Sequence, residues 1–207
     1  MSLVKLNNNG VKNATAFGDI TGLGNLALIK TTTLASAAAS ISFVDGASDV
    51  VLDSTYKEYI FFWSNFHPAT DDQNLFFNMS VDTGSNYNVT KTTNYFRANH
   101  NENNNAASIN YRTGEDLAQA TGYQKLTLGT NNDNDSGSSG YLHLFDPSST
   151  TFVKHFIARV SDAYGEPSNN DTFIAGYGNT TSAVDAIDFK FGSGNIDAGS
   201  ISLYGVN

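Results

Sequence analysis

The sequence predicts an all-β protein, an antiparallel β-sandwich preceded by an extended arm. Three observations carry that expectation. Short runs of alternating apolar and polar residues recur about ten times from residue 26 onward, at the even spacing of a sandwich or barrel. The chain holds 14 Phe and 10 Tyr, and aromatic and β-branched side chains suit a pleated, half-buried surface. Between the runs stand clusters of Gly, Asn, Ser and Asp, which supply positive φ or local hydrogen bonds at turns.

Residues 1–25 come first. Leu3, Leu6, Val11, Phe17 and Ile20 are spaced for neither helix nor strand, and runs of Asn and Gly separate them. The pattern predicts an extended anchoring strap that orders against a partner through isolated apolar residues. The strands then begin with "LALIK" (26–30), "ISFV" (41–44, Ile41 and Phe43 on one face) and "VVL" (50–52). In "YKEYIFFWSNF" (56–66), Tyr59, Phe61 and Trp63 alternate with Ile60 and Phe62. An apolar run on both faces predicts a central strand covered on both sides. Pro68 ends it, because proline cannot donate to a ladder.

In "LFFNMSV" (75–81), Leu75, Phe77, Met79 and Val81 face one way, and residues 82–85 form a turn. The signal weakens over 86–122, where single aromatics stand among Asn-rich stretches; "GEDLAQATG" (114–122) predicts at most a short helical turn. "YQKLTL" (123–128) reads as a strand and 129–140 as a loop. "YLHLF" (141–145) and "TFVKHFIARV" (151–160) predict a hairpin around "DPSST". "TFIAGYG" (172–178) follows. "AIDFKF" (186–191) and "SISLYGV" (200–206) then read as a closing hairpin, with Asp197, Ala198 and Gly199 as its turn and Gly192 and Gly194 as a bulge before it. The predicted body over 26–207 is a two-layer sandwich of the jelly-roll kind.

The 207 residues suit one large domain that buries a core without covalent staples. Cysteine is absent, which removes disulfides and thiolate metal sites. A formal net charge of −9 repels phosphate backbones and anionic bilayers, so neither nucleic acid nor membrane is an expected partner. No run of ~18 apolar residues could span a bilayer. No apolar stretch of ~7–15 residues precedes a cleavage site near the start, so the expectation is cytoplasmic synthesis with no signal peptide.

The ending "FGSGNIDAGSISLYGV" (191–206) resembles the motif SGNI-x-x-G-x-I-x-L-Y-G that closes many small tailed-phage virion structural proteins of the tail-fibre and head-surface type. "STYKEYIFFWSNFHPATDD" (54–72) is similar to their early aromatic strand, and "FFNMSVDTGSNYN" (76–88) to their D-x-G-x-x-Y turn. "GYLHLFDPSSTTFVKHF" (140–156) is similar to the hairpin that follows, and "LVKLNNNGVKNATAFG" (3–18) to the opening of marine phage proteins of this type. The likeness spans most of the chain, and its motifs mark strands and turns rather than catalytic groups. It implies a non-enzymatic protein of the virion exterior that needs no cofactor. The arm would hold it to other capsid or tail proteins, and its first role would be a fibre or appendage component that attaches to host-surface glycan. The alternatives are a capsid decoration protein that clamps capsid subunits and, third, a virion glycan depolymerase. The likeness also implies a homo-oligomer, with a trimer matching phage fibres and capsid three-fold positions.

Few residues form a recognisable chemical constellation. Of four histidines, His143 and His155 lie on the two arms of the predicted hairpin. If Phe145 pairs with Phe152, their rings point to opposite faces, and a slip in register changes that. Asp133 and Asp135 alternate in the oxygen-rich loop "NNDNDSGSSG" (131–140) as calcium ligands do, but the downstream bidentate Glu and the fixed Gly are missing; the expectation is no metal, with these two as the candidates. G-x-S-x-G, the phosphate loop and H-E-x-x-H are absent, and no two acids are spaced as a glycosidase pair requires. Tyr87, Tyr95, Tyr111, Tyr123 and Tyr164 sit among Asn, Asp and Gly. Such rings could stack on sugars; the competing expectation is that they tuck inward to anchor loops.

Overall fold

The computed structural model describes residues 25–164 and 167–207, so the expected anchor residues Leu3, Leu6, Val11, Phe17 and Ile20 lie outside the described residues. Among the described residues no helix forms, and twelve strands build two antiparallel sheets packed as a sandwich. In chain order the strands are β1 (Leu26–Thr33), β2 (Ile41–Val44), β3 (Glu58–Pro68), β4 (Leu75–Ser80), β5 (Lys91–Asn101) and β6 (Ala107–Tyr111). They continue with β7 (Gln124–Lys125), β8 (Ser138–Phe145), β9 (Lys154–Tyr164), β10 (Ser168–Gly178), β11 (Ala186–Phe191) and β12 (Ile196–Val206). One sheet has the order β1-β12-β3-β8-β9-β10-β5-β6, and the other has β2-β11-β4-β7. From β1 to β4 the chain changes sheet at every connection.

Alternation builds the core. Tyr59, Phe61 and Trp63 of β3 point inward with Leu142 and Leu144 of β8, Phe156 of β9 and Leu203 of β12, all buried. Phe43, Phe77 and Phe189 meet them from the smaller sheet. The Phe61 ring lies 5.3 Å from Phe43 and 5.5 Å from Phe189, and Phe77 meets Phe156 edge-on at 4.9 Å. Such offset and edge contacts are the favoured aromatic geometries.

Four strands cannot cover eight. Over β10 and β5 the covering layer is irregular chain instead. Lys91 N–H and Thr93 N–H donate to Ala120 O and Leu117 O at 2.8 and 2.9 Å, and Thr172 Oγ1 donates to Leu126 O at 2.8 Å. The expected helical turn over 114–122 therefore does not form, because its carbonyls serve β5. The expected strand over 123–128 shrinks to the short β7. "VVL" makes no strand, although Val50 and Leu52 are buried; Leu52 N–H donates to Asp45 Oδ1 at 2.8 Å instead of to a ladder. Val81 falls past the end of β4 and is exposed.

Two hairpin expectations are corrected. β11 and β12 lie in different sheets, so the closing segment is a crossover and not a hairpin. Ile196 is buried and pairs with Pro68, so β12 starts there and the turn falls earlier, at Gly194, with φ 72°. A side chain at Gly194 would also collide with Thr70 Oγ1. Residues 197–199 are instead the irregular part of β12, where its register against β3 shifts twice. In the β8–β9 hairpin, Leu144 faces Phe156 rather than Val153. That odd shift flips the faces, and His143 and His155 share the outer one. The loop is longer than expected because the buried Lys154 ammonium caps it, donating to Ser149 O and Phe152 O, both at 2.7 Å.

Candidate functional site

The expectation that β3 is covered on both sides fails on one face. Phe62 is 38% exposed, because among the described residues no second layer lies over the eight-stranded sheet there, although Ile60, on the same face, is buried. Register places Phe62, Tyr141, Arg159, Phe173, Phe96 and Tyr111 side by side on β3, β8, β9, β10, β5 and β6. Phe62 is 6.1 Å from Tyr141 and 5.8 Å from Tyr204 of β12. Phe96 and Phe173 stack in parallel at 4.9 Å, and the Arg159 guanidinium lies 4.7 Å above Phe173. In the adjoining row, Ile157 is 48% exposed beside His143.

A polar strip borders the rings. Arg159 Nε and Nη2 grip Asp171 Oδ1 and Oδ2 at 3.0 and 2.7 Å, a bidentate pair that raises the guanidinium pKa further. Ser161 Oγ donates to Asn169 Oδ1 at 2.9 Å. With Ser139 and Tyr141 these groups line a shallow cleft of about 370 Å³. Burial pushes the His143 pKa down, the Glu58 carboxylate only partly opposing, which keeps that ring neutral near pH 7. The face therefore offers flat apolar rings, one fixed cation and an anion, and several hydroxyl and amide groups.

Of the five candidate tyrosines, only Tyr111 belongs to this face, and its hydroxyl donates to Asp116 Oδ2 at 2.6 Å. Tyr95 is corrected outright: it is fully buried between the layers, where burial raises its hydroxyl pKa, and no sugar can reach it. Tyr123 packs on the smaller sheet, donating to Asp188 Oδ2 at 3.1 Å under the Lys190 ammonium, 4.1 Å from its ring. Tyr87 closes over Gly84, where an added Cβ would meet its hydroxyl at 2.9 Å. Tyr164 is half-buried beside Gly129, whose φ of 72° leaves no room for a side chain against its ring.

At one end of the sandwich, His67 Nδ1 meets Asp197 Oδ1 at 2.6 Å and Nε2 meets Asp133 O at 3.1 Å. Burial opposes protonation there, but the Asp197 bond and charge together with the backbone contacts to Asp133 and Asn132 outweigh it and raise the pKa. His67, Asn65, Asp135 and Ser136 border a cleft of about 540 Å³. The Asp133 carboxylate is occupied by Asn131 Nδ2 at 3.0 Å. Among the described residues no group of three or more His, Cys, Asp or Glu side chains gathers to hold a metal, around Asp133 and Asp135 or elsewhere.

Sequence reading missed Phe62, Tyr141, Phe173, Phe96 and Arg159 as a set. The available signal was apolar residues on both faces of β3, β8 and β10, more than one covering sheet could bury.

The described residues thus define an all-β sandwich with an aromatic sheet face that none of them covers. No family model, curated protein or solved structure matches the chain.

Proposed function

We propose that the protein is a non-enzymatic component of a virion exterior, a fibre or appendage part that binds host-surface glycan on the outer face of its eight-stranded sheet. The observation that carries the binding half is the row from Phe62 to Tyr111. It crosses five strand spacings, about 24 Å at ~4.8 Å each, long enough for an oligosaccharide. Sugar rings present apolar faces that pack on aromatic rings, while their hydroxyls find Arg159, Asp171, Asn169 and Ser139 beside the row.

The virion half rests on the closing motif and the aromatic strand of residues 54–72. Strand order supports the finer jelly-roll reading. β1-β12-β3-β8 opposite β2-β11-β4-β7 is the order expected of an eight-strand double Greek key, with the β9–β10 and β5–β6 pairs extending the larger sheet. Attachment to capsid or tail proteins falls to residues 1–25, and assembly is as a homo-oligomer.

Titration of the purified protein with host-envelope polysaccharide tests the binding half. Phe62→Ala with Tyr141→Ala should weaken the interaction with the fold intact. Undiminished binding by that folded variant defeats this use of the face. Counting copies per particle tests the role: small multiples fit a fibre component, whereas one copy per capsid subunit replaces this reading with the decoration protein.

A further inference from the structure

Lys91 opens β5 with its side chain turned inward and fully buried, as is that of Asn78 in β4. Its ammonium nitrogen contacts Asn78 Oδ1 and donates to Val89 O at 2.7 Å. None of the ion pairs among the described residues involves it. A buried lysine without a counter-ion sheds its proton readily, and desolvation lowers its pKa to about 7. Near neutral pH much of the population therefore carries an amine with a free lone pair, the activated form of a lysine nucleophile.

The amide beside it is also held ready. Asn78 Oδ1 accepts Met79 N–H at 2.9 Å, a backbone donor placed where negative charge would develop. Asn78 Nδ2 donates to Tyr87 O at 2.5 Å and Thr121 O at 3.1 Å, which fixes the plane of the amide. Amine and carboxamide are thus trapped together in a dry site, where fixed orientation replaces the entropy cost of an encounter. Asp188 stands directly opposite Asn78 on the neighbouring strand.

We propose that Lys91 and Asn78 join spontaneously through an isopeptide bond. The Nζ lone pair forms a bond to Asn78 Cγ, and the carbonyl electrons move onto Oδ1, facing Met79 N–H. A proton passes from Nζ to Nδ2, the carbonyl re-forms, the Cγ–Nδ2 bond breaks, and ammonia leaves. One amine and one primary amide give one secondary amide and ammonia, and no oxidant, metal or further reactant is needed. The product ties β4 of the smaller sheet to β5 of the larger one, clamping the sandwich across its layers.

Intact mass of the denatured full-length protein is the test, read together with a tryptic digest. The expected mass is that of the sequence less one ammonia. Lys91 is the only trypsin site within residues 58–96, so a linked chain resists cleavage there and releases 58–97 as one peptide, also lighter by ammonia. Asn78→Ala should restore both the unmodified mass and cleavage after Lys91, and Lys91→Arg should restore the mass. An unmodified wild-type mass overturns the proposal. So does a loss of ammonia with normal cutting after Lys91, which marks a succinimide instead. Both readings come from the wild-type chain and stand even if a variant fails to fold.

Discussion

The two faces of β3 carry the same kinds of residue and have different fates. Phe61 is fully buried between Phe43 and Phe189, whereas Phe62, the next residue, is open to solvent beside Tyr141 and Tyr204. β9 repeats the contrast with charge. Asp162 points inward and is buried, and Arg159 points outward to a partly exposed partner. Periodicity reports that both faces are apolar, but only the count of strands in the opposing layer reports which one is covered. An apolar face left open on a folded sheet is available to a partner.

The comparison breaks most easily at its centre. Phe61→Ala should cost about 3–5 kcal/mol in urea unfolding, the price of a large core cavity, while Phe62→Ala should cost less than about 1 kcal/mol, as a surface change does. Similar losses at the two positions would mean that the outer face is also part of the core.

The acids give a pH-dependent version. Burial raises the Asp162 pKa to about 7, with Asn170 and Arg97 only partly offsetting it. Between about pH 4, where an unfolded Asp releases its proton, and pH 7, the folded state holds more protons. Stability should therefore fall as pH rises through that window. Asp162→Asn should flatten the slope and unfold at higher urea than wild type at pH 8; an unchanged slope would show that the inner acid is solvated.

The outer face should respond in binding and hardly in stability. Phe96→Ala and Tyr141→Ala should each weaken glycan affinity by about 1 kcal/mol, roughly fivefold, with unfolding midpoints close to wild type. The smallest effect belongs to Arg159→Gln. Its ion pair with Asp171 is partly exposed, so stability should change by less than about 1 kcal/mol, and added salt should erase the difference.

The two-layer body was legible because most of its strands alternate strongly. β5 was not, since its inward positions are Lys91, Thr93, Tyr95 and Arg97, polar enough to read as loop. Lys91 and Thr93 meet the side-chain amides of Asn78 and Gln124 instead, partners far along the chain that no local pattern announces. The final segment misled for a related reason. Two alternating runs joined by glycines look alike whether they pair with each other or with different sheets, and the burial of Ile196 decided between them. The candidate tyrosines were chosen for polar neighbours in sequence, yet such neighbours often mark rings folded down onto their own loops, as at Tyr87. The exposed aromatic face was encoded in excess, as apolar residues that a single covering layer had no means to bury.

β12 lies between β1 and β3, so neighbours from the start of the sandwich are joined only by residues 196–206. During translation, every earlier strand leaves the ribosome before the one that bridges that gap. The nascent larger sheet must wait split, its edges unpaired and its rings bare, until the last of these residues emerges. Chaperone demand should therefore persist until that segment has emerged, and a ribosome stalled before residue 196 should hold a chain that proteases cut freely.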